Sequence, residues 1–177
     1  MGSFDYEKLI ESIPDYPKPG VVFKDITPLL ADAEGFAAVV HDLAEPFRTA
    51  GVTKVVGAEA RGFMIGAPVA LELGAGFVPA RKPGKLPREV VEQEYDLEYG
   101  TATLQIHADS FGSGDKVLIV DDLVATGGTM VAQIKIIERL GAELVGMAGL
   151  MELELFHPRD ELAKVTDRQL HSLVKVQ

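Results

Sequence analysis

The stretch Val117-Leu-Ile-Val-Asp-Asp-Leu-Val-Ala-Thr-Gly-Gly-Thr129 decides the fold and locates a site. Its first four residues are apolar and mostly β-branched, which is typical of a strand covered on both faces. Two glycines and two threonines follow, directly before an amphipathic helix. Glycine can adopt the positive φ of a tight turn, and the first helical turn presents unpaired N–H groups to an anion. The segment therefore predicts a strand, a phosphate-binding loop and a helix in succession.

Two adjacent carboxylates, Asp121 and Asp122, stand just before this loop. Carboxylates accept hydrogen bonds from sugar hydroxyls, while the loop would hold a phosphate of the same ligand. An ordinary strand-to-helix connection with a capping threonine explains the glycines and Thr129. It does not explain paired acids, so the motif favours a ligand that carries both a sugar and a phosphate.

Two other nucleotide-binding motifs are excluded by the residues themselves. A Walker A loop needs Gly-x4-Gly-Lys followed by Ser or Thr, but Gly84 is preceded by Pro79 at the required glycine and Lys85 is followed by Leu86. A dinucleotide fingerprint lies between a strand and a helix, whereas Gly112-Ser-Gly114 precedes a strand. That segment is interpreted as a turn.

Composition sets the broad class. The 177 residues are 47% hydrophobic and 25% charged, as in a soluble globular protein, and we expect one domain over residues 1–177. No apolar run is long enough for a membrane span, the first residues do not resemble a signal peptide, and cysteine is absent, so we expect a cytoplasmic protein. The net charge of −10 argues against a general nucleic-acid surface.

Helical and strand patterns alternate along the chain, which predicts an α/β protein with a mostly parallel sheet and a ligand beyond the carboxyl ends of its strands. The predicted strands are 52–58, 77–80, 101–106, 117–120 and 144–150. The predicted helices are 34–49, 62–73 with an interruption at Pro68, and a helix after the motif that buries Met130, Ile134 and Ile137 and ends at Gly141.

The motif resembles the phosphoribosyl pyrophosphate (PRPP) site of the type I phosphoribosyltransferases, and the chain is similar nearly end to end to the adenine-specific members of that family. Four further blocks carry the resemblance: Tyr16-Pro-Lys-Pro-Gly-Val-Val-Phe-Lys-Asp-Ile-Thr-Pro28, Gly57-Ala-Glu-Ala-Arg-Gly-Phe63, Arg81-Lys-Pro-Gly-Lys-Leu-Pro87 and Leu97-Glu-Tyr-Gly100. The resemblance implies the type I phosphoribosyltransferase fold, a mostly parallel twisted sheet flanked by helices, with a mobile lid loop.

The lid falls at about residues 83–99, where Pro83, Gly84 and Pro87 interrupt the chain and no helical stripe continues. From the sequence alone, a surface β-excursion without a catalytic role is an equal alternative. The resemblance favours the lid, because the corresponding loop of the family closes over PRPP.

The resemblance implies transfer of the 5-phosphoribosyl group from PRPP to N9 of adenine, which gives AMP and pyrophosphate and serves purine salvage. Mg²⁺ is the implied cofactor, held by PRPP oxygens and water, and no protein residue is assigned as a metal ligand. The implied PRPP-binding residues are Glu59, Ala60, Arg61, Arg81, Lys82, Lys85, Asp121, Asp122, Ala125, Thr126, Gly127, Gly128 and Thr129.

Within this set, Asp121 and Asp122 are expected to hold the ribose hydroxyls, and residues 125–129 the 5′-phosphate. The block Glu59-Ala60-Arg61 matches the pyrophosphate loop of the family, in which a non-proline cis peptide is usual. The four cations, Arg61, Arg81, Lys82 and Lys85, would concentrate positive potential for a polyanion in an acidic protein. Arg81 and Lys82 are also candidates to serve the neighbouring subunit of a homodimer.

The base pocket implied by the resemblance has Phe23 as its stacking platform, backbone groups of Val22 and Lys24 at the adenine edge, and Arg61 over the other face. Without the resemblance, Phe23 would be taken for a core residue. Glu98 matches the acidic residue that exchanges a proton with adenine N7, the role of a general acid. Tyr99 is the expected gate to the site.

Two alternatives stay open at this point. A phosphoribosyltransferase for xanthine, hypoxanthine or guanine would share the PRPP motif but not the base pocket. A non-catalytic regulator that binds PRPP or a nucleotide would share the fold, although the acidic charge and the lack of a separate DNA-binding segment disfavour it.

Overall fold

A computed structural model of the chain describes residues 4–96 and 100–177. Its strands, in chain order, are β1 (Glu11–Pro14), β2 (Val22–Asp25), β3 (Lys54–Ala58), β4 (Gly76–Ala80), β5 (Val90–Asp96), β6 (Thr101–His107), β7 (Lys116–Val124), β8 (Glu143–Leu153) and β9 (Leu170–Val176). Its α-helices are α1 (Thr27–Ala31), α2 (Ala33–Ala44), α3 (Arg61–Glu72), α4 (Gly128–Arg139) and α5 (Pro158–Ala163). Short 3₁₀ turns occupy Tyr6–Leu9, Glu45–Phe47 and Glu154–Phe156.

The central sheet is parallel throughout and has the strand order β4-β3-β7-β8-β9. The chain builds one side of the sheet from β3 to β4 and the other from β7 to β9, so the order reverses between β3 and β7. Ligands of open parallel sheets bind beyond the carboxyl ends of the strands at such a reversal. The predicted α/β fold with a mostly parallel sheet is confirmed, and the motif lies at the reversal.

The apolar run in β7 explains why the sheet is covered on both faces. Val117 and Ile119 lie in the core that faces α4, while Leu118 and Val120 lie in the core that faces α2 and α3. All four side chains are fully buried. Successive side chains of a strand point to opposite faces, so an apolar run without polar alternation serves two cores at once.

The two faces of the sheet are covered by different elements. Helices α1 to α3 pack on one face, whereas α4 and the antiparallel pair β5–β6 cover the other. Arg139 at the end of α4 donates to the Glu92 carbonyl (2.9 Å) and to the Gln93 side chain (2.7 Å), which fixes β5 to the helix. In the described part of the chain, no helix has the length and apolarity required to cross a bilayer.

The structure corrects three details of the predicted elements. Helix α2 ends at Ala44 rather than near residue 49, because Pro46 has no N–H to continue it and a 3₁₀ turn follows. The predicted interruption at Pro68 is wrong: α3 runs through it, and packing against β3 and β7 offsets the missing hydrogen bond. Strand β7 continues to Val124, because β8 pairs with it beyond the two acids.

Residues 90–96, within the predicted lid, form β5 and pair with β6 from Val90↔His107 to Asp96↔Thr101. This part of the segment therefore has the form of a β-excursion. Closure of the segment over a ligand stays a prediction, as does the single domain over the whole chain.

Two glycines, Gly57 and Gly66, allow α3 to approach the sheet closely at the start of the site. A Cβ on Gly57 would stand 2.7 Å from the backbone oxygen of Gly62 and 3.2 Å from the Phe77 ring. A Cβ on Gly66 would stand 3.0 Å from the same ring. Residues 58–62, which connect β3 to α3, are thus held against the strand ends by contacts that leave no room for a side chain.

We predict that Gly57→Ala destabilises the protein by about 1–3 kcal/mol, because the new methyl group meets backbone atoms that cannot move independently. Gly114→Ala is the matched control, since a Cβ there meets no atom within 4 Å and its φ is not positive. Urea denaturation of both variants measures the difference in the free energy of unfolding. Equal stability of the two variants would contradict the close approach described here.

Candidate active site

Two connected cavities lie at the carboxyl ends of β3 and β7. The larger, of about 940 Å³, is bounded by residues 18–24, the loop after β7, the segment after β8 and the end of β9. The smaller, of about 180 Å³, is lined by residues 58–62, the two acids, Lys82 and Tyr95. Arg61, Asp121 and Thr129 line both cavities. The two cavities therefore form one site with an apolar and a polar compartment.

The loop after β7 has the geometry of an anion site. Gly127 adopts φ +86°, the left-handed conformation that glycine favours, and α4 begins at the next residue. The backbone N–H of Gly128 donates to Thr126 Oγ1 at 3.4 Å, which leaves the hydrogen bond long. The first N–H groups of this twelve-residue helix open into the larger cavity, at the positive end of the helix dipole.

The paired acids are buried at the end of β7. Burial, followed by the neighbouring charge of Asp122, raises the pKa of Asp121 well above its ordinary range. Burial also raises the pKa of Asp122, although Arg61 opposes the rise. The Asp122 amide donates to Asp121 Oδ1 at 2.9 Å. The buried position thus disfavours two full negative charges, and a ligand that donates hydrogen bonds would favour them.

Arg61 connects the acids to the base side of the site. Its Nε lies 2.8 Å from Asp122 Oδ2 as an ion pair, although no described donor is aligned for a hydrogen bond to that oxygen. Its Nη1 donates to the Lys24 carbonyl at 3.4 Å. Its guanidinium carbon lies 5.0 Å from the centre of the Phe23 ring, within cation–π range. Arg61 therefore bridges the two compartments.

Phe23 lies in β2, on the wall of the larger cavity, with Tyr16 against it edge-on at 5.2 Å between ring centres. Val22 and Lys24, the predicted edge-reading residues, line the same wall. The predicted arrangement, with a base between Phe23 and Arg61, requires the guanidinium to move away from the ring. That arrangement stays a prediction.

Glu59 is the centre of a cation cluster. Its carboxylate, with a side chain only 7% exposed, accepts hydrogen bonds from Arg81 Nη2 at 3.1 Å, from Lys85 Nζ at 3.0 Å and from the Lys82 amide at 2.6 Å. Burial alone would raise the pKa of Glu59, but these donors outweigh it and lower the pKa to about 2. The peptide between Glu59 and Ala60 is cis, as expected for the loop.

The sequence predicted Glu59 as a PRPP-binding residue, but its carboxylate already accepts four hydrogen bonds from three residues, Arg81, Lys82 and Lys85. Its observed contacts hold Arg81 and Lys85 at the edge of the polar compartment and compensate their charges. The Lys82 side chain lines the smaller cavity directly. Arg61 and Lys82 therefore line the smaller cavity with the two acids, while Arg81 and Lys85 stand at Glu59 beside the cis peptide. Their role in PRPP binding stays a prediction.

The described residues suit a Mg²⁺ ion that arrives with its ligand better than one held in a protein cage. Among residues 4–96 and 100–177, no three histidine, cysteine or acidic side chains converge as metal ligands. Asp122 Oδ2 is a buried acceptor without an aligned donor. A ligand hydroxyl or a water molecule on Mg²⁺ fits that oxygen chemically.

Several wall residues were missed by sequence reasoning. Tyr95, on β5, lines the smaller cavity, and Leu153, Leu155 and Phe156 line the larger one. Tyr95 sits in an alternating strand pattern that gave no functional signal, and the other three look like core residues. The predicted general acid Glu98 and the predicted gate Tyr99 lie outside the described residues.

Comparison with known proteins gives one consistent result. The model of the phosphoribosyl transferase domain matches residues 24–169. The adenine phosphoribosyltransferase of Aeromonas salmonicida is 58% identical over 147 residues, which cover 83% of this chain and 81% of that protein.

Solved structures agree with the sequence comparison. The adenine phosphoribosyltransferase of Rhodothermus marinus is 44% identical, with a TM-score of 0.90 over 97% of this chain and 96% of that one. The enzyme of Giardia lamblia, in complex with 9-deazaadenine, is 36% identical, with a TM-score of 0.93 over 100% of this chain and 99% of that one.

We predict that the stability difference between the protein and Glu59→Gln depends on pH in a defined sense. The folded-state pKa lies below the ordinary value of 4.5, so the ionised carboxylate contributes stability that is fully present above that value. The contribution is lost as the pH falls towards about 2. Denaturant unfolding of both proteins across this pH range measures it. A difference that stays constant as the pH falls would contradict the cation cluster.

Proposed function

This chain belongs to the phosphoribosyl transferase family and, within it, to the adenine phosphoribosyltransferases, and from this premise we propose how its own residues carry out purine salvage. The reaction transfers the 5-phosphoribosyl group from PRPP to N9 of adenine and releases pyrophosphate with AMP. The observation that carries the proposal is the apposition of one phosphate-type loop, two buried acids and an aromatic wall around a single site.

The phosphate loop and the acids hold the ribosyl group. Residues 125–129 bind the 5′-phosphate through backbone N–H groups and threonine hydroxyls at the start of α4. Asp121 and Asp122 accept hydrogen bonds from the ribose hydroxyls, and Asp122 Oδ2, which has an ion pair with Arg61 but no aligned donor, can accept one of them. These bonds favour the ionised acids, whose negative charge then lies beside the ribose as it develops positive charge in the transition state.

The larger cavity accepts the base. Its apolar wall buries the faces of a purine, with Phe23 as the stacking platform and backbone groups near Val22 and Lys24 at the polar edge. The 9-deazaadenine complex of the Giardia relative supports a purine-shaped pocket. When the base enters, Arg61 leaves the Phe23 ring and remains tied to Asp122.

The polar compartment receives the pyrophosphate. Arg61, Lys82 and the residues around the cis peptide line it, and Glu59 keeps Arg81 and Lys85 at its edge. An internally compensated cluster can accept a highly charged anion without a large excess of positive charge in the empty protein. A Mg²⁺ ion that arrives with PRPP would supply charge neutralisation of the leaving group, and Asp122 Oδ2 could accept a hydrogen bond from a water molecule on that ion.

Residues 83–99 form the lid of this proposal. Strand β5 packs on the phosphate loop, and a Cβ on Gly128 would stand 2.9 Å from the Asp96 carbonyl. The chain continues from there to Glu98, the proposed proton donor to adenine N7, and Tyr99, the proposed gate. Arg139 anchors β5 to α4 through Glu92 and Gln93, so the lid of this proposal is attached to the helix that begins at the phosphate loop.

A homodimer in the cytoplasm completes the proposal. The outer side of α3 exposes Met64 and Leu71, two large apolar side chains that are 41% and 82% exposed. They are seven residues apart and so lie on one face of the helix. We infer that a second copy buries that face, and that Arg81 and Lys82 act across the dimer interface, as the family resemblance implies.

The test of this function is the formation of AMP and pyrophosphate from PRPP and Mg²⁺ with adenine, run beside guanine, hypoxanthine and xanthine. We expect turnover with adenine alone, and its loss when the metal is chelated. Turnover with an oxopurine would keep the PRPP site and overturn the base pocket. Saturable PRPP binding without product from any base would indicate a regulator instead.

We predict that Asp121→Asn/Asp122→Asn lowers kcat/KM for PRPP by roughly a hundredfold or more, because charge-assisted bonds to the ribose are lost. The fold should survive, since burial and mutual repulsion already raise the pKa of Asp121 and amides carry no charge. Steady-state kinetics and thermal unfolding measure the two effects. Asp167→Asn, on the exposed loop before β9, is the control. Retained turnover in the double variant would contradict the ribose role.

A further inference from the structure

An ion pair between the half-exposed Arg159 and the buried Glu152 joins the end of β8 to the start of α5. Glu152, only 2% exposed, accepts from Arg159 Nε at Oε1 and from Arg159 Nη2 at Oε2, both at 2.7 Å. Ser172, on β9, donates to Oε2 at 2.7 Å and receives Arg159 Nη2 at 3.3 Å. The pair is bidentate and charge-assisted, so it fixes orientation as well as distance. We call these three residues the Glu152 clamp.

The clamp closes a short loop that forms one wall of the base cavity. Between Glu152 and Arg159 the chain passes through Leu153, Leu155 and Phe156, all of which line the larger cavity. Leu155 is 72% exposed, so packing alone holds it weakly. The clamp ties both ends of this wall together. A second ion pair, between Lys175 Nζ and Glu154 Oε1 at 3.1 Å, supports the wall from β9.

The same loop bears on the phosphate site. Arg159 lies in the first turn of α5, one residue after Pro158. The Pro158 carbonyl oxygen stands 3.2 Å from the position that a Cβ on Gly127 would take, and Leu162 Cγ stands 3.6 Å from it. The start of α5 is therefore packed directly on the residue that turns the phosphate loop. The start of α5 therefore contacts the phosphate loop and also ends the segment that forms the base wall.

We propose that Arg159 is a positioning residue for the ribosyl transfer, which acts through the Glu152 clamp to set the base wall and the phosphate loop at a fixed separation. The proposal rests on the function proposed above. None of the three clamp residues lines either cavity, so the guanidinium acts through its neighbours rather than on the substrate. Misplacement of reacting groups by about 1 Å can cost as much as a hundredfold in rate.

The experiment must separate positioning from simple stabilisation. Arg159→Met leaves Glu152 as an unpaired buried charge and should lower both the melting temperature and the activity. Glu152→Gln/Arg159→Met removes that charge while Gln can still accept from Ser172, so stability should recover towards that of the parent protein. The ion pair of the Glu152 clamp is absent from both variants. Activity should therefore not recover with stability.

Each variant is assayed with PRPP, Mg²⁺ and adenine at a temperature where circular dichroism shows it fully folded. We expect kcat/KM for PRPP to fall by roughly tenfold or more in the double variant, with kcat reduced at saturation of both substrates. Arg159→Lys, which keeps the charge but not the two parallel bonds, should lie between the parent and Arg159→Met. Arg168→Met, which removes the exposed pair with Glu143, should match the parent.

Parent-like kinetics in the folded double variant would overturn the positioning role and leave the clamp a stability element. A parent protein without turnover on any purine would instead show that the proposed function fails. In that case, calorimetric titration of the same variants with PRPP tests the clamp, with weaker binding in the double variant expected. Equal affinity of the parent protein and the double variant for PRPP would overturn the positioning role in that case as well.

Discussion

The burial of two acids at the end of a central strand is the constraint on which the site depends. Strand β7 lies between β3 and β8 and is covered on both faces, so Asp121 and Asp122 are largely buried where they line the site. A buried charge requires a partner, and Arg61 from the neighbouring β3–α3 loop is the one it finds. Arg61 also contacts Phe23. Its ion pair with Asp122 therefore brings the cis-peptide loop, the acids and the base wall together.

The same logic explains how an acidic protein can accommodate a polyanion. The net charge of −10 is not spread evenly, since Glu59 gathers Arg81, Lys85 and the Lys82 amide beside the polar compartment. Local potential depends on which charges face a cleft, not on the sum over the chain. A carboxylate inside a cation cluster lowers the mutual repulsion of the cations while the site is empty.

The sequence was sufficient where one local pattern determines one structure. The apolar run of β7, the Gly-Gly turn and the stripe of α4 follow from periodicity and turn chemistry, and all three are confirmed. Glu59 was assigned to the ligand by its match to the pyrophosphate loop of the family, and its observed cation partners were not predicted, because they come from a loop 22 or more residues away. The Glu152 clamp was missed for a similar reason: Glu152 looks like a surface charge in the sequence, and only the fold brings Arg159 of α5 and Ser172 of β9 to it. Ion pairs between residues far apart in the chain produce no periodic pattern in the sequence.

The two glycines of the phosphate loop show how packing and binding act on the same residues. Gly127 has the Pro158 carbonyl on one side, and Gly128 has the Asp96 carbonyl on the other. A ligand alone would explain one glycine, for its positive φ, but Gly128 does not have a positive φ. Its requirement is steric, because the β5–β6 hairpin closes on it. The loop is thus packed between α5 and the hairpin. A movement of either element would displace the loop residues Gly127 and Gly128.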